Sequence, residues 1–177
     1  MKDQIDGKIN STVAYASIAD FCDVFLSNVN RLYLLAYLLT GHHDMAERCF
    51  VAGLDDCIYG SSAFKAWVKS WARRAIIKSA ILMISPEPEI DSELLDKNHL
   101  PVVSRREGAA DLLHNVIQLE RFERCVFVMS VLERFSDHEC SLLLSSTRGE
   151  VARGRRSAIE HLASVRVPDC SISLREA

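Results

Sequence analysis

The residues that could do chemistry in this chain are mainly basic, and one group of them lies near the C-terminus. Residues 145–162 contain four arginines against two glutamates, so this stretch is locally positive. Arginine can hold a DNA phosphate, or bond the edge of a guanine through two hydrogen bonds. The stretch therefore indicates DNA binding, and its candidate residues are Arg148, Glu150, Arg153, Arg155 and Arg156.

A second basic group lies in the segment Phe64–Ile84, which contains five basic residues and no acid. Lys65, Lys69 and Arg73 recur every four residues, so they lie along one flank of a predicted helix. The whole chain carries a net charge of −3, and this local excess is therefore a property of the segment. The three residues form a second candidate DNA-binding surface.

Metal and catalytic motifs are not indicated. His42-His43-Asp44 contains ligand types, but adjacent histidines at a helix start are more often exposed turn residues. His138-Glu139-Cys140 also contains ligand types, but neighbours on a helix point about 100° apart and do not readily share one ion. The six cysteines lie singly, with no CxxC pair, and are interpreted as reduced, buried thiols. Without a Walker loop, nucleophile elbow or HExxH motif, we predict no cofactor, no metal and no enzymatic activity.

The elements that must position the basic residues are predicted to be helices. Only 7 glycines and 4 prolines occur in 177 residues, and long apolar-periodic segments run between them. An all-β fold would need more frequent turn signals. We predict an all-α protein made of two small helical domains, residues 11–84 and 107–162. An acidic linker, residues 85–106, joins them, and a flexible tail follows at residues 163–177.

The first domain is predicted to hold four helices, ending near residues 25, 40, 59 and 84. Gly41 supplies the stop of the second helix. In the first helix, Ile18, Phe21 and Phe25 are expected to face inward. In the fourth, Trp67 and Trp71 lie on the apolar stripe, which favours a core position over stacking on unpaired bases.

The second domain ends in a predicted helix-turn-helix. Ser136 caps a short helix, with Glu139 in the capping-box position. Ser145-Ser146 form a tight turn, and a longer helix covers residues 147–162. Packing between the two helices is assigned to the apolar residues Leu142, Leu143, Val151 and Ile159. The arginines of the second helix then project toward the major groove, although a helical hairpin with a solvated basic face is the plain alternative.

The segment 119–162 resembles region 4 of bacterial RNA polymerase sigma factors, especially the extracytoplasmic-function type. The matching residues are Arg124, Val126-Phe127, Val131, Glu133, Ser136, Glu139, Leu143-Leu144, Val151, Arg156, Ala158 and Leu162. The resemblance implies that Arg148, Glu150, Arg153 and Arg156 read the −35 promoter element. Two positions depart from the family: Ser145 stands at the turn glycine, and Arg153-Gly154 replaces a Ser-Arg pair.

The first half resembles region 2 of the same family. The matching residues are Leu32-Tyr33, Ala36, Leu39-Thr40-Gly41, Ala46-Glu47, Phe64, Ala66-Trp67 and Ala72-Arg73. The resemblance implies polymerase contacts at Tyr33, Glu47, Arg48 and Val51, and contacts of the fourth helix with the −10 element. Acidic and polar residues of the family's clamp motif are replaced by Arg48, Val51 and Ala52, and Arg74 and Lys78 replace its usual Asn and Asp.

The resemblance implies a sigma-like transcription initiation factor that binds core RNA polymerase and promoter DNA, with an anti-sigma protein as a further possible partner. Two alternatives remain: a DNA-binding regulator of sigma descent that no longer directs polymerase, and a protein-interaction module. The segment Ala75–Ile84 is too short to span a bilayer, and residues 1–10 lack the core of a signal peptide. We therefore predict a cytoplasmic protein without membrane contacts.

Overall fold

The computed structural model describes residues 14–60, 63–86 and 109–164, here divided into an N-terminal half (14–86) and a C-terminal half (109–164). Within these ranges the chain is helical, which confirms the all-α prediction. The α-helices are α1 (Ile18–Ser27), α2 (Val29–Thr40), α3 (His43–Tyr59), α4 (Val68–Ile84), α5 (Ala109–Gln118), α6 (Arg121–Phe127), α7 (Asp137–Leu143) and α8 (Arg148–Ser164). A 3-10 turn, Lys65–Trp67, precedes α4, and a π turn, Val128–Leu132, continues α6.

Helix ends follow local capping chemistry. α1 begins after Ser17, which forms a capping box with Asp20. Gly41 ends α2 with a φ of 77°, a left-handed conformation that glycine adopts without steric cost. The predicted Ser136–Glu139 capping box is confirmed at α7.

The N-terminal half is held by close packing between α3 and α4. Gly53 of α3 faces Ile76 of α4 so closely that an added Cβ would lie 2.7 Å from the Ile76 Cδ1 atom. One turn earlier, the Cys49 thiol donates to the Ile76 carbonyl at 3.2 Å. Phe25 and Leu39 complete this core and are almost fully buried.

The C-terminal half is organised by contacts of α6 and its π turn with α7 and α8. Val126, Met129, Cys140 and Val151 are fully buried here. Buried apolar residues of both halves belong to one cluster. The predicted linker, residues 85–106, and the predicted tail, residues 163–177, lie almost wholly outside the described residues.

Two apolar residues of the N-terminal half are exposed against prediction. Ile18 is 58% exposed because it lies in the first turn of α1, where it lines an open cavity with Phe21 and Tyr59. Trp67 is 60% exposed. It belongs to the 3-10 turn, whose three residues per turn shift the side chain off the apolar stripe that α4 continues.

The predicted packing between α7 and α8 is also partly wrong. Leu142 is 67% exposed and Ile159 is 48% exposed. Cys140, Ser141 and Leu144 are buried, and these residues define an inward face from which Leu142 points away. On α8 the buried stripe runs through Val151, Gly154 and Ala158, which leaves Ile159 at its edge.

Candidate nucleic-acid interface

Both helices of the helix-turn-helix, α7 and α8, begin with a capping box. Ser136 and Glu139 start α7, while Thr147 and Glu150 start α8. The Thr147 amide and hydroxyl donate to the Glu150 carboxylate at 2.7 and 2.9 Å, and the Glu150 amide donates to the Thr147 hydroxyl at 3.2 Å. These bonds to Thr147 hold the pKa of Glu150 below its usual value. The structure thus places Glu150 at the start of α8, where its carboxylate is occupied by capping.

In the turn between these helices, Ser145 stands where the sigma-factor pattern has a glycine. Ser145 has a φ of 50°, in the left-handed region that side chains disfavour. The Ser146 amide donates to the Ser141 carbonyl at 3.0 Å, which closes the turn onto α7. The serine is therefore accommodated with the same backbone conformation that a glycine would favour.

Gly154 lies on the inward face of α8 and allows close contact with α6. A Cβ added to Gly154 would lie 3.0 Å from the Cε1 atom and 3.2 Å from the Cδ1 atom of Phe122. Val151 and Ala158, one turn to either side, are fully buried. The departure from the family pattern at Gly154 thus coincides with a helix-packing contact.

The outward face of α8 carries Arg153 and Arg156, which are both exposed. Spaced three residues apart, they lie on one side of the helix, opposite the buried Val151 and Ala158. Arg148, in the first turn, is exposed as well. An exposed helix face with guanidinium groups near its N-terminal end matches how a recognition helix presents side chains to the major groove.

Arg155 points to a different place from its neighbours. Its guanidinium spans both carboxylate oxygens of Asp137, with the Nη2 atom 3.1 Å from the Oδ2 atom. This pair lowers the pKa of Asp137. Bidentate pairing of this kind fixes the relative orientation of two elements, so the structure places Arg155 between α8 and α7.

The second predicted group is divided among different partners. Lys65 lies 2.7 Å from the Asp20 carboxylate, and hydrogen bonds from Lys65 and Ser17 lower the pKa of Asp20 to about 2. Lys69 is exposed and lines a cavity of about 100 Å³ together with Arg31 and Arg73. Arg31 was not singled out in the sequence, because only the pairing of α2 with α4 brings it to this group.

Two arginines of α4 contact acids of the C-terminal half. Arg73 donates to the Glu133 carboxylate at 3.2 Å, and Arg74 donates to the Glu139 carboxylate at 2.6 Å. The Arg74 guanidinium also lies 5.0 Å from the ring centroid of Phe135. The pKa of Glu139 falls to about 2, first through hydrogen bonds from Ser136 and then through Arg74.

The residues predicted to bind polymerase lie on α2 and α3. The Tyr33 hydroxyl is 3.0 Å from the Nδ1 atom of His43. Desolvation, followed by the charge of Glu47, raises the pKa of Tyr33. Glu47 and Arg48 are exposed, and Val51 is 57% exposed. The structure therefore brings Tyr33 near Glu47 and leaves Arg48 and Val51 accessible on α3.

Arg124 is a buried cation that connects the two halves. Its guanidinium donates to the carbonyls of Leu39 at 3.2 Å and Thr40 at 3.4 Å, at the end of α2. It also donates to the carbonyls of Ile117 at 2.9 Å and Leu119 at 3.2 Å, at the end of α5. Helix C-termini carry unsatisfied carbonyls and partial negative charge, so they suit a guanidinium. Desolvation lowers the pKa of Arg124.

Four cysteines of the described residues are buried thiols. Burial raises the pKa of Cys49, Cys57 and Cys125 to about 12 and that of Cys140 to about 11. Such thiols stay protonated near neutral pH and are poor nucleophiles. Among the described residues, no three His, Cys, Asp or Glu side chains are grouped so that they could hold a metal ion.

Comparison with known proteins adds no family assignment: no family model and no curated protein matches this sequence. Of the described helices, none is long and apolar enough to cross a membrane.

Proposed function

We propose that this protein is a sigma-like transcription initiation factor that binds promoter DNA through α7 and α8 and core RNA polymerase through α2 and α3. The observation that carries the proposal is that the arginines of α8 lie on two different faces of the helix. Arg155 bonds to α7, while Arg153 and Arg156 stay exposed on the opposite face. A buried inner face and a cationic outer face are what a recognition helix needs to be held rigidly in the major groove.

The contacts at the polymerase surface are proposed from the resemblance together with exposure. Glu47, Arg48 and Val51 are accessible on α3, and Tyr33 lies beside them on α2. Arg48 reverses a charge of the family pattern, so its partner on polymerase should differ in charge from the usual one.

Run-off transcription with purified core polymerase and DNA fragments selected by this protein tests the proposal. We expect specific transcripts that depend on the protein. We also expect the double variant Arg153→Ala/Arg156→Ala to lose them, because it removes both outward guanidinium groups of α8. The matched control is Arg121→Ala, which removes an exposed charge from α6. Equal activity of the double variant and the wild type would overturn the DNA assignment.

A second function is favoured by the contacts of α4. Arg73 and Arg74 lie in the segment that resembles the family's −10 helix, and they bond to Glu133 and Glu139. A protein in which these contacts persist would bind DNA through α8 alone and would act as a regulator that does not direct polymerase. Specific DNA binding without transcripts, and without co-elution with core polymerase, would select this function.

A further inference from the structure

Arginines make the side-chain hydrogen bonds that join the two halves within the described residues. Arg124 reaches from α6 to the carbonyls that end α2. Arg73 and Arg74 reach from α4 to Glu133, which precedes α7, and to Glu139, in the first turn of α7. On the N-terminal side, Gly41 leaves room for the Arg124 guanidinium to approach closely. A Cβ added to Gly41 would lie 3.3 Å from the Arg124 Cζ atom. The interface is therefore polar and charged as well as apolar.

The ion pairs of this interface engage part of the basic face of α4, a name used here for Lys69, Arg73 and Arg74. The Glu133 side chain is only 9% exposed and the Arg73 side chain is 34% exposed, so this pair is partly shielded from water. Arg74 is held by Glu139 and by the face of the Phe135 ring. Two of the three cations of the basic face are thus occupied by one surface of the C-terminal half.

A polyanion has to compete for these cations. DNA phosphates bind arginine through the same charge-assisted hydrogen bonds that Glu133 and Glu139 make here. We propose that the C-terminal half is an intramolecular competitor of DNA for the basic face of α4, so that this face binds DNA only after the ion pairs open. This inference rests on the proposed function, because it presumes that the protein binds DNA.

The two ion pairs of α4 are the part of this interface that DNA has to open, and they are weaker than the buried contacts. The pairs of Arg73 and Arg74 are partly exposed, and such pairs contribute modestly to stability. If the halves separate, Arg124 loses its bonds to Leu39 and Thr40 but keeps those to Ile117 and Leu119 within its own half. The guanidinium would therefore remain partly satisfied in the open state.

The test is a double-mutant cycle on DNA affinity, measured by fluorescence anisotropy with a labelled duplex. The first arm is Glu133→Gln/Glu139→Gln, and the second is Arg73→Gln/Arg74→Gln. Glutamine at position 139 can keep the capping box of α7, because the motif accepts Glu or Gln. We expect the first arm to tighten binding about tenfold at low salt, since two more cations become available to phosphates. In the Arg73→Gln/Arg74→Gln background the same change should alter affinity less than twofold.

The control variant is Asp44→Asn/Asp55→Asn, which makes the same change in net charge at two exposed positions of α3. It should tighten binding much less than Glu133→Gln/Glu139→Gln. If the two variants tighten binding equally, or if the effect persists without Arg73 and Arg74, the competition is wrong and DNA binding stands. If the wild type and every variant fail to bind duplex DNA, the proposed function is wrong and the inference fails with it. Thermal unfolding of each variant establishes that it is folded.

Discussion

Ser145, in the turn between α7 and α8, has a strained backbone conformation. Ser145 has a φ of 50°, a conformation that costs a residue with a side chain roughly 1 kcal/mol relative to glycine. We expect Ser145→Gly to raise the free energy of unfolding by about 0.5–1 kcal/mol, measured by urea denaturation. The matched control is Ser157→Gly, an exposed position within α8, which should lower it by roughly 0.5–1 kcal/mol. A loss of stability in Ser145→Gly would contradict this account of the turn.

Carboxylates with lowered pKa values make the stability of the fold depend on pH. The pKa of Asp20 and that of Glu139 each lie at about 2, and that of Asp137 is lowered as well. A carboxyl group whose pKa is lower in the folded state stabilises the fold above its unfolded pKa, and the stabilisation is lost as pH falls toward the folded value. We therefore expect the urea midpoint to be flat near pH 6 and to fall steadily from about pH 4.5 to pH 2.

The variants Asp20→Asn and Glu139→Gln provide the control for this pH dependence. Each removes one carboxyl group that titrates in the window, so each should make the fall of the midpoint shallower. Asp55→Asn removes one negative charge at an exposed position of α3 and serves as the matched control for net charge. Equal slopes in all four proteins would show that other groups control acid unfolding.

At the scale of elements, the distance between α6 and α8 depends on Gly154. A Cβ there would meet the Phe122 ring at 3.0 Å, while alanine is the better helix former by about 1 kcal/mol. Crowding in a packed core costs about 1–3 kcal/mol, so we expect Gly154→Ala to lower the free energy of unfolding by about 1 kcal/mol. In a Phe122→Leu background the methyl group has room, and the same substitution should then be stabilising.

The sign change is the informative result of that pair of measurements. Urea denaturation of the wild type, both single variants and the double variant gives the coupling between positions 122 and 154. A coupling near zero would mean that α8 shifts away from α6 at no cost. In that case the orientation of Arg153 and Arg156 would depend on the Arg155–Asp137 pair instead.

Elements whose ends are governed by neighbouring residues could be predicted from sequence. Gly41 ends α2, and the Ser136–Glu139 box starts α7, because each acts within a few residues of the chain. Trp67 could not be predicted in the same way. A 3-10 turn in place of the first turn of α4 changes its direction, and apolar spacing does not distinguish the two helices.

The same difference applies to the candidate site. The exposure of Arg153 and Arg156 agrees with the spacing of the apolar residues of α8, which is local information. Arg155 bonds to Asp137, 18 residues earlier, and Arg124 bonds to a carbonyl 85 residues away. Backbone carbonyls carry no sequence signature, so partners of this kind become visible only when the helices are placed.

At the scale of the whole molecule, a net charge of −3 is compatible with DNA binding because charge is segregated. Arg148, Arg153 and Arg156 of α8 are exposed, whereas Arg73 and Arg74 of α4 meet acids of the C-terminal half. Under the proposed function, DNA would therefore meet the field of α8 first. Affinity measured on the intact protein should reflect α8 before it reflects α4.

Arg124 bonds to backbone carbonyls of both halves. It is 7% exposed and bonds to carbonyls at the ends of α2 and α5. Replacement by methionine keeps much of its volume but leaves those carbonyls without their donor. We expect Arg124→Met to lower the free energy of unfolding by about 2–4 kcal/mol in urea denaturation.

Two further variants separate the charge of Arg124 from its geometry. Arg124→Lys keeps the charge but places its three donors on a single nitrogen, where four carbonyls are spread over two helix ends, so it should recover less than half of the loss. Arg121→Met, at an exposed neighbouring position, should change stability by less than about 0.5 kcal/mol. If lysine restores full stability, charge near the helix ends is sufficient. If it does not, the planar fork of donors is what holds α2 against α6, and the relative position of the halves follows from that geometry.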